Sequence, residues 1–174
     1  MPRARRRSPR RAARTRQWGG GGESESNSIA RYTVIQLSGI LWQHIRKHKL
    51  GRLYPDVDTI FGEHDVRRPD LLYFSKGRTH LIGEKAIEGP PDLCVEVLSP
   101  SSITIDRRDK FKQYAKAGVQ HYWIVDPQQR TIEGHVLSRG KYQLAGKGSN
   151  DETITMPPFE KLKILLSELW QPPG

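Results

Sequence analysis

Residues 89–127 constrain the fold more than any other part of the chain. Within residues 92–98 (DLCVEVL), the aliphatic side chains of 93, 95 and 97 alternate with a second set at 92, 94, 96 and 98 that includes two acids. This is the period-2 pattern of a β-strand whose two faces differ. A helix is predicted over 106–117, and residues 119–126 (VQHYWIVD) form the next predicted strand, which Pro127 ends. A strand–helix–strand unit of this length places both strands parallel in one sheet, so the sequence predicts an α/β fold.

Glu96 lies in the middle of the first of these strands. Burying an unpaired carboxylate costs several kcal/mol, so we predict that Glu96 meets a cation. The following helix carries Asp106, Lys110 and Tyr114 at i, i+4 and i+8, which lie on one helical face. Because the unit brings the carboxyl end of the first strand near the start of the helix, Lys110 is able to approach Glu96.

The first predicted helix lies within residues 29–49 and is amphipathic. Its apolar stripe is formed by Val34, Leu37, Leu41 and Ile45, and is widened by Ile35 and Trp42. Its carboxyl end, residues 44–49 (HIRKHK), is basic. Two interpretations stay open for this end: a solvated helix terminus whose charge complements the helix dipole, or a contact to DNA phosphates.

Shorter elements complete the predicted domain. They are strands at 52–62, kinked at Pro55, and at 66–74, a connecting loop over the site at 75–91, a hairpin joining 131–137 to 141–145, and a short strand with a helical turn at 162–170. Asp70 lies in the second of these strands. If that strand runs beside the one that carries Glu96, the two carboxylates come close enough to share a divalent metal ion.

Most of the positive charge lies at the amino terminus. The formal net charge is +10, and residues 1–18 hold eight arginines and no acidic residue, which leaves the rest of the chain nearly neutral. Residues 1–28 also contain the Gly19–Gly22 run and cannot bury enough apolar surface to fold, so they are predicted to be a disordered tail before a domain at 29–174. The arginines either hold nucleic-acid phosphates or form a solvated tail.

Several classes of protein are excluded. The single cysteine, Cys94, rules out an internal disulfide and a cysteine-rich zinc site, and its place in the strand predicts a core residue. No apolar run approaches the roughly 20 residues that span a bilayer, and no secretory signal is recognisable. The glycine run lacks the lysine of a phosphate-binding loop. We therefore expect a cytoplasmic protein without membrane association.

Four blocks of sequence resemble one known family in order and spacing. They are RPDLLYF at 68–74, PDLCVEVLSP at 91–100, the pattern D-x-x-x-K-x-x-x-Y-x-x-x-G-V at 106–119, and YWIVDP at 122–127. The chain resembles the Uma-two family of restriction-endonuclease-like proteins, a branch of the PD-(D/E)XK nuclease superfamily, over roughly residues 28–170. The resemblance implies a restriction-endonuclease-like core, in which a mixed β-sheet is flanked by α-helices.

The resemblance also implies a function, a metal-dependent endonuclease that hydrolyses DNA phosphodiester bonds. Asp70 and Glu96 would bind Mg²⁺, or alternatively Mn²⁺, since such ions prefer carboxylate oxygens. Lys110 would orient water or offset phosphate charge, and Asp92 would support the metal or its waters. Asp70, Glu96, Lys110 and Asp92 are therefore the predicted catalytic residues. A homodimer would suit symmetric cutting of both strands.

Two departures from the superfamily pattern leave alternatives open. The superfamily lysine stands two residues after the acid, where this chain has Leu98, and no Tyr-Glu-Leu-type strand precedes the first helix. The alternative function is a catalytically weak or inactive nucleic-acid-binding or scaffold protein that retains the nuclease fold; a third is a nuclease acting on RNA. At the residue level, Asp92 is also a common strand-entry residue, and Lys110 is also explained by an ion pair.

Overall fold

The computed structural model describes residues 21–62, 65–84, 86–99 and 106–170, without the side chains of 21–27 and 106–108. The helices are α1 (Gly21–Lys47), α2 (Asp106–Ala117) and α3 (Ser167–Trp170), with a short 3₁₀ helix at Lys76–Leu81. The strands are β1 (Gly51–Pro55), β2 (Thr59–Gly62), β3 (Asp65–Arg67), β4 (Leu71–Ser75), β5 (Ile87–Glu88), β6 (Leu93–Val97), β7 (His121–Asp126), β8 (Thr131–Ser138), β9 (Lys141–Ser149), β10 (Thr153–Met156) and β11 (Phe159–Leu165). No described helix is both long enough and apolar enough to cross a membrane.

A six-stranded mixed sheet in the order β1-β4-β6-β7-β8-β9 forms the centre of the fold. β6 and β7 pair in parallel, with Leu93 opposite His121, as the strand–helix–strand pattern predicts. The other neighbours in this sheet are antiparallel. The predicted α/β fold, a mixed sheet flanked by helices, is confirmed.

Each face of the large sheet covers its own apolar cluster. On one face, Leu37, Leu41 and Ile45 of α1 are buried against side chains of the sheet that include Leu71, Val95 and Trp123. On the other face, Tyr114 of α2 packs with Leu72, Cys94, Tyr122 and Ile124. Cys94 is fully buried, as predicted, and burial raises the pKa of its thiol. The alternation of β6 thus sends Leu93, Val95 and Val97 toward α1, and Cys94 and Glu96 toward α2.

α1 begins at Gly21, eight residues before the predicted domain boundary, so residues 21–28 belong to the helix and not to the predicted tail. No proline interrupts these residues, and a helix that packing has already nucleated extends at little further cost. Residues 1–20 lie outside the described part of the chain, so disorder there stays a prediction.

Two predicted strands are each divided at a proline. The first ends as β1 at Pro55, and Asp56 then has a left-handed φ of 49° that redirects the chain into β2. Pro69 separates β3 from β4 in the same way, because proline cannot donate to a sheet ladder. β2 pairs with β3 and with β5 in a separate three-stranded sheet. Residues 75–91 are consequently not a plain loop, since they contain the 3₁₀ helix and β5.

The apolar stripe of α1 is narrower than predicted. Ile35 is 65% exposed and Trp42 is 49% exposed, although both were expected to widen the stripe. Helical spacing indicates which side chains share a face, but the extent of the covering sheet decides how much of that face is buried. α1 packs closest to the edge strand β1, beyond which no further strand of the large sheet extends.

Candidate active site

Asp70 and Glu96 lie side by side where β4 begins and β6 ends. The antiparallel register places Leu71 opposite Val95, so Asp70 is next to Glu96 on the neighbouring strand. Residues opposite each other on antiparallel strands point to the same face, here the face that carries α2. One oxygen of Asp70, Oδ2, accepts a 2.7 Å hydrogen bond from the backbone N–H of Val97, which fixes this carboxylate against the end of β6.

Two side chains of α2 hold Glu96. The hydroxyl of Tyr114 donates to Oε1 at 2.6 Å, and the ammonium of Lys110 donates to Oε2 at 3.1 Å. Glu96 itself is only 6% exposed. The predicted meeting of Glu96 with a cation from the following helix is therefore confirmed. The i, i+4 spacing of Lys110 and Tyr114 explains why one helix supplies both donors.

Burial and charge set the protonation of this cluster. Burial raises the pKa of Glu96 to about 7, against the opposing effects of Lys110 and Tyr114. Burial also raises the pKa of Asp70, which the Val97 N–H and Lys110 partly offset. Tyr114 is kept neutral because burial and the Glu96 charge both raise the pKa of its phenol. The pair of acids thus carries more negative charge than Lys110 neutralises, and it favours an additional proton or cation.

We expect the stability of the metal-free protein to fall as the pH rises, because of Glu96. Its folded-state pKa of about 7 exceeds the ordinary value of 4.5, so the folded protein binds more protons than the unfolded chain between these values. The resulting stabilisation is fully present below the lower value and is lost as the pH rises through the upper one. Relative to Glu96→Gln, the free energy of unfolding should fall by on the order of 3 kcal/mol between about pH 5 and pH 8.

Urea unfolding in EDTA at a series of pH values measures this difference. Subtracting the values for Glu96→Gln removes the contributions of His44 and His121, whose pKa values are lowered chiefly by burial and which therefore act in the opposite direction. A difference between the two proteins that stays constant with pH would show that Glu96 does not titrate in this range.

The donor set fits a hard divalent cation that keeps much of its water. Among the described residues, each oxygen of Glu96 accepts one hydrogen bond and retains acceptor capacity, and the hydrogen bond to Asp70 uses only Oδ2. Mg²⁺ commonly binds one or two carboxylates and several waters, so two acids are sufficient. Within the described part of the chain, no group of three or more His, Cys, Asp or Glu side chains is placed to hold a metal, so a cage made wholly of protein ligands is not formed there.

Asp92 lies at the opposite end of β6 from Glu96. The two are four positions apart, which corresponds to roughly 13 Å along a strand. Oδ2 of Asp92 accepts a 2.7 Å hydrogen bond from the backbone N–H of Ser75 and lies 3.9 Å from Nε of Arg78. Period-2 alternation does put Asp92 and Glu96 on one face, but the structure does not bring them together. The contacts of Asp92 stabilise the start of the 3₁₀ helix instead.

Other predicted positions divide between the site and the core. Leu98, two residues after Glu96, is 7% exposed and packs in the apolar cluster on the α2 face. The side chain of Asp106 lies outside the described residues. Tyr114, which the sequence places on the same helical face as Lys110, packs in this apolar cluster and also binds Glu96 directly. Its ring centroid lies 5.3 Å from that of Phe61 in β2, a tertiary contact for which the sequence offers no local signal.

Comparisons with known proteins identify the family of the chain and a solved structure of similar fold. The sequence matches the Uma2 family, described as "Putative restriction endonuclease", over residues 23–167. Among solved structures, the fold is similar to that of a protein from Anabaena variabilis ATCC 29413 described as "a putative nuclease belonging to DUF820". The two chains are 18% identical, with a TM-score of 0.66 over 82% of this chain and 80% of that one, which shows a shared fold. No curated protein matches the sequence.

Proposed function

The chain belongs to the Uma2 family of restriction-endonuclease-like proteins, and from this premise we propose that it is a divalent-metal-dependent endonuclease that hydrolyses phosphodiester bonds in DNA. The observation that carries the proposal is the contact of buried Glu96 with Lys110, beside Asp70. A hydrolase of this type needs acids that bind a cation and a base or cation that acts on the attacking water or the phosphate. These three side chains supply both.

Asp70 and Glu96 are the residues that would hold Mg²⁺ or Mn²⁺. When bound, such an ion polarises the phosphoryl oxygen and lowers the pKa of a coordinated water. The chain's own part is to oppose the protonation that burial favours and to hold both carboxylates in position. The Val97 N–H does this for Asp70, and the Tyr114 hydroxyl does it for Glu96.

Lys110 has two roles in this proposal. Its ammonium lies 3.1 Å from Glu96, and the lysine side chain is 21% exposed, so solvent reaches it beside the acids. There it favours the ionised form of Glu96 and offsets the charge that grows on the phosphate during hydrolysis. The hydrogen bond to Glu96 sets the position of Nζ before a substrate arrives.

A second candidate function has one observation in its favour. Lys110 and Tyr114 already occupy one acceptor position on each oxygen of Glu96, an arrangement that would also neutralise the acid in a protein without catalytic activity. Such a protein would bind nucleic acid or act as a scaffold through the retained nuclease fold. It would cleave neither in Mg²⁺ nor in Mn²⁺.

We expect the purified protein to convert supercoiled plasmid to nicked and linear forms in Mg²⁺ or Mn²⁺ and to do neither in EDTA. Asp70→Asn should lower the rate at least about tenfold, because an amide is a poorer ligand for a hard cation. Asp92→Asn is the matched control and should keep most of the activity, since Asp92 lies at the far end of β6. Gel assays of the initial rate measure both variants.

Absence of cleavage by the wild-type protein in both metals, with DNA binding retained, would establish the scaffold function instead. Equal losses in Asp70→Asn and Asp92→Asn would contradict the assignment of the site to the Asp70 end of β4. An RNA substrate of the same length and sequence, tested in parallel, separates a deoxyribonuclease from a ribonuclease.

A further inference from the structure

A surface groove of about 430 Å³ lies beside β1, at the edge of the large sheet, next to the carboxyl end of α1. We call it the edge groove. Its lining includes Trp42, Arg46, Lys49, Arg52 and Tyr54. Three of these residues are cationic and no lining residue is acidic, so the groove has the charge that suits a phosphate-bearing ligand.

The cations of the edge groove are available to a ligand. Arg46, Lys49 and Arg52 are all exposed, and none of them forms a salt bridge with a residue that the structure describes. Arg68, by contrast, is paired with Asp58 at 2.9 Å. Unpaired cations that converge on one groove are a typical footprint for a nucleic-acid backbone.

Trp42 adds an aromatic surface to this charge. It is 49% exposed, and the guanidinium of Arg46 lies 4.9 Å from its ring centroid. An exposed tryptophan beside unpaired cations is the combination that binds single strands, where bases stack on aromatic rings and phosphates meet positive charge. An intact duplex keeps its bases stacked on one another, so its backbone offers no base face to Trp42.

The edge groove adjoins the candidate active site. β1 pairs with β4 so that Tyr54 is opposite Leu72 and Pro55 is opposite Leu71, the residue after Asp70. The backbone N–H of Asp56 donates to the carbonyl oxygen of Asp70 at 3.1 Å. The backbones of Tyr54 and Asp70 are therefore roughly 8 Å apart, from one strand spacing and two strand positions.

The alternation of side chains along β1 places part of the lining of the edge groove on the same face as the candidate active site. Arg52 and Tyr54 share the face of their partners Phe74 and Leu72, and this is the face on which Glu96 meets α2. Trp42 and Arg46 come from α1 on the other face. The edge groove is thus lined from both faces of β1, and of its residues on β1 Tyr54 lies nearest Asp70 along the sheet.

We propose that the edge groove binds an unpaired stretch of the nucleic-acid strand next to the cleavage site, with one base stacked on Trp42 and the adjoining phosphates on Arg46, Lys49 and Arg52. This inference rests on the proposed nuclease function and specifies the form of its substrate. The preferred substrate is a strand with a single-stranded flank beside the scissile bond, such as a flap or a fork, and not a continuous duplex.

Photocrosslinking tests the stacking contact directly. A single-stranded oligodeoxythymidine that carries one 5-iodouracil is irradiated with the full-length protein in EDTA, and the crosslinked peptide is identified by mass spectrometry. The expected crosslink is at Trp42, since Trp123 is fully buried and Trp170 is 8% exposed and donates its Nε1–H to the carbonyl oxygen of Asn150. The Trp18→Phe background removes the remaining tryptophan.

Affinity measurements test the charged contacts. By fluorescence anisotropy in EDTA, Trp42→Leu should bind single-stranded oligodeoxythymidine about tenfold more weakly and bind a duplex of equal length almost as wild type does. Lys49→Ala/Arg52→Ala should also weaken single-strand binding about tenfold.

The matched control, Arg139→Ala/Lys141→Ala, removes two exposed cations at the turn between β8 and β9, near the opposite edge strand, and should change binding less than twofold. The arginine-rich residues 1–18 are present in every variant, so their contribution cancels in the comparison.

Two results would overturn the proposal. The first is a crosslink absent from Trp42 while the oligonucleotide is bound. The second is that Lys49→Ala/Arg52→Ala loses as much affinity for the duplex as for the single strand, while Trp42→Leu has no effect. That result would mean that the edge groove binds the backbone of a duplex. Neither assay measures cleavage. A protein that crosslinks at Trp42 but never cuts DNA would refute the nuclease function alone, and an active nuclease without that crosslink would refute the edge groove alone.

Discussion

Glu96→Gln is expected to lower the rate of metal-dependent DNA cleavage by about a thousandfold or more, with the fold preserved. Glutamine keeps the shape of the side chain and an oxygen for the Tyr114 hydroxyl, but it removes the charge that would bind a divalent cation. A thousandfold loss corresponds to about 4 kcal/mol of transition-state stabilisation. Initial rates of plasmid cleavage in Mg²⁺ and in Mn²⁺ measure the loss, and calorimetric titration with Mn²⁺ should show weaker binding in parallel.

A second glutamate provides the control for this variant. Glu133 on β8 is also partly buried and pairs with Lys147 at 3.4 Å, and it lies two strands from Glu96, with Ile124 of β7 between the two. Glu133→Gln should keep wild-type cleavage, so that a general effect of removing one buried charge is separated from loss of the site. If Glu96→Gln cleaved DNA at the wild-type rate, the metal would have to bind elsewhere and the proposed site would be wrong.

The pH dependence of the wild-type rate follows from the same group. In the metal-free protein the pKa of Glu96 is raised to about 7, so near neutral pH a proton competes with the cation for this carboxylate. We therefore expect the full loss of cleavage rate in Glu96→Gln only above about pH 7, where wild-type Glu96 is ionised. Below this pH the protonated acid resembles glutamine, and the two proteins should become more alike.

The part of the fold that the sequence predicts is the part that local patterns determine. Alternation in β6, the helical spacing of α2 and Pro127 define one strand–helix–strand unit, and chain connectivity then requires a parallel pair. The contact of Glu96 with Lys110 follows from this unit, since the helix starts near the end of the strand that carries the acid. The family resemblance predicted from the same residues is confirmed by the match over 23–167.

The features that the sequence does not predict depend on where a residue lies along its strand or helix, or on contacts with residues distant in the chain. The family resemblance groups Asp92 with Glu96, and periodicity places both on one face of β6, but neither separates the two ends of the strand, which lie roughly 13 Å apart. The exposure of Trp42 depends on where the sheet ends beneath α1. The packing of Phe61 on Tyr114 depends on the small sheet that forms after Pro55 redirects the chain. Each of these is set by tertiary contacts that single-sequence patterns do not contain.

Lys110→Met should lower the cleavage rate by about a hundredfold and move its pH dependence to higher pH. The methionine retains the unbranched stem of the lysine but removes the ammonium that lies 3.1 Å from Glu96. Without that cation the pKa of Glu96 rises further, because the attraction of Lys110 opposes the effect of burial. A pH–rate profile measured with thermal unfolding of the same samples separates this effect from simple loss of stability. Cleavage at the wild-type rate with an unchanged profile would reduce Lys110 to a structural ion pair.

Relocating the lysine tests its role independently of its place on α2. Leu98 lies two residues after Glu96, and strand alternation puts both side chains on the face of α2. Leu98→Lys in the Lys110→Met background should therefore return an ammonium to the acids and recover about tenfold of the lost rate, with some loss of thermal stability because Leu98 is buried. Leu98→Met in the same background should recover none. Recovery by lysine alone would mean that the chemistry requires a cation beside Glu96, whichever element carries it. Equal rates in the two double variants would mean that the geometry of α2 is itself essential.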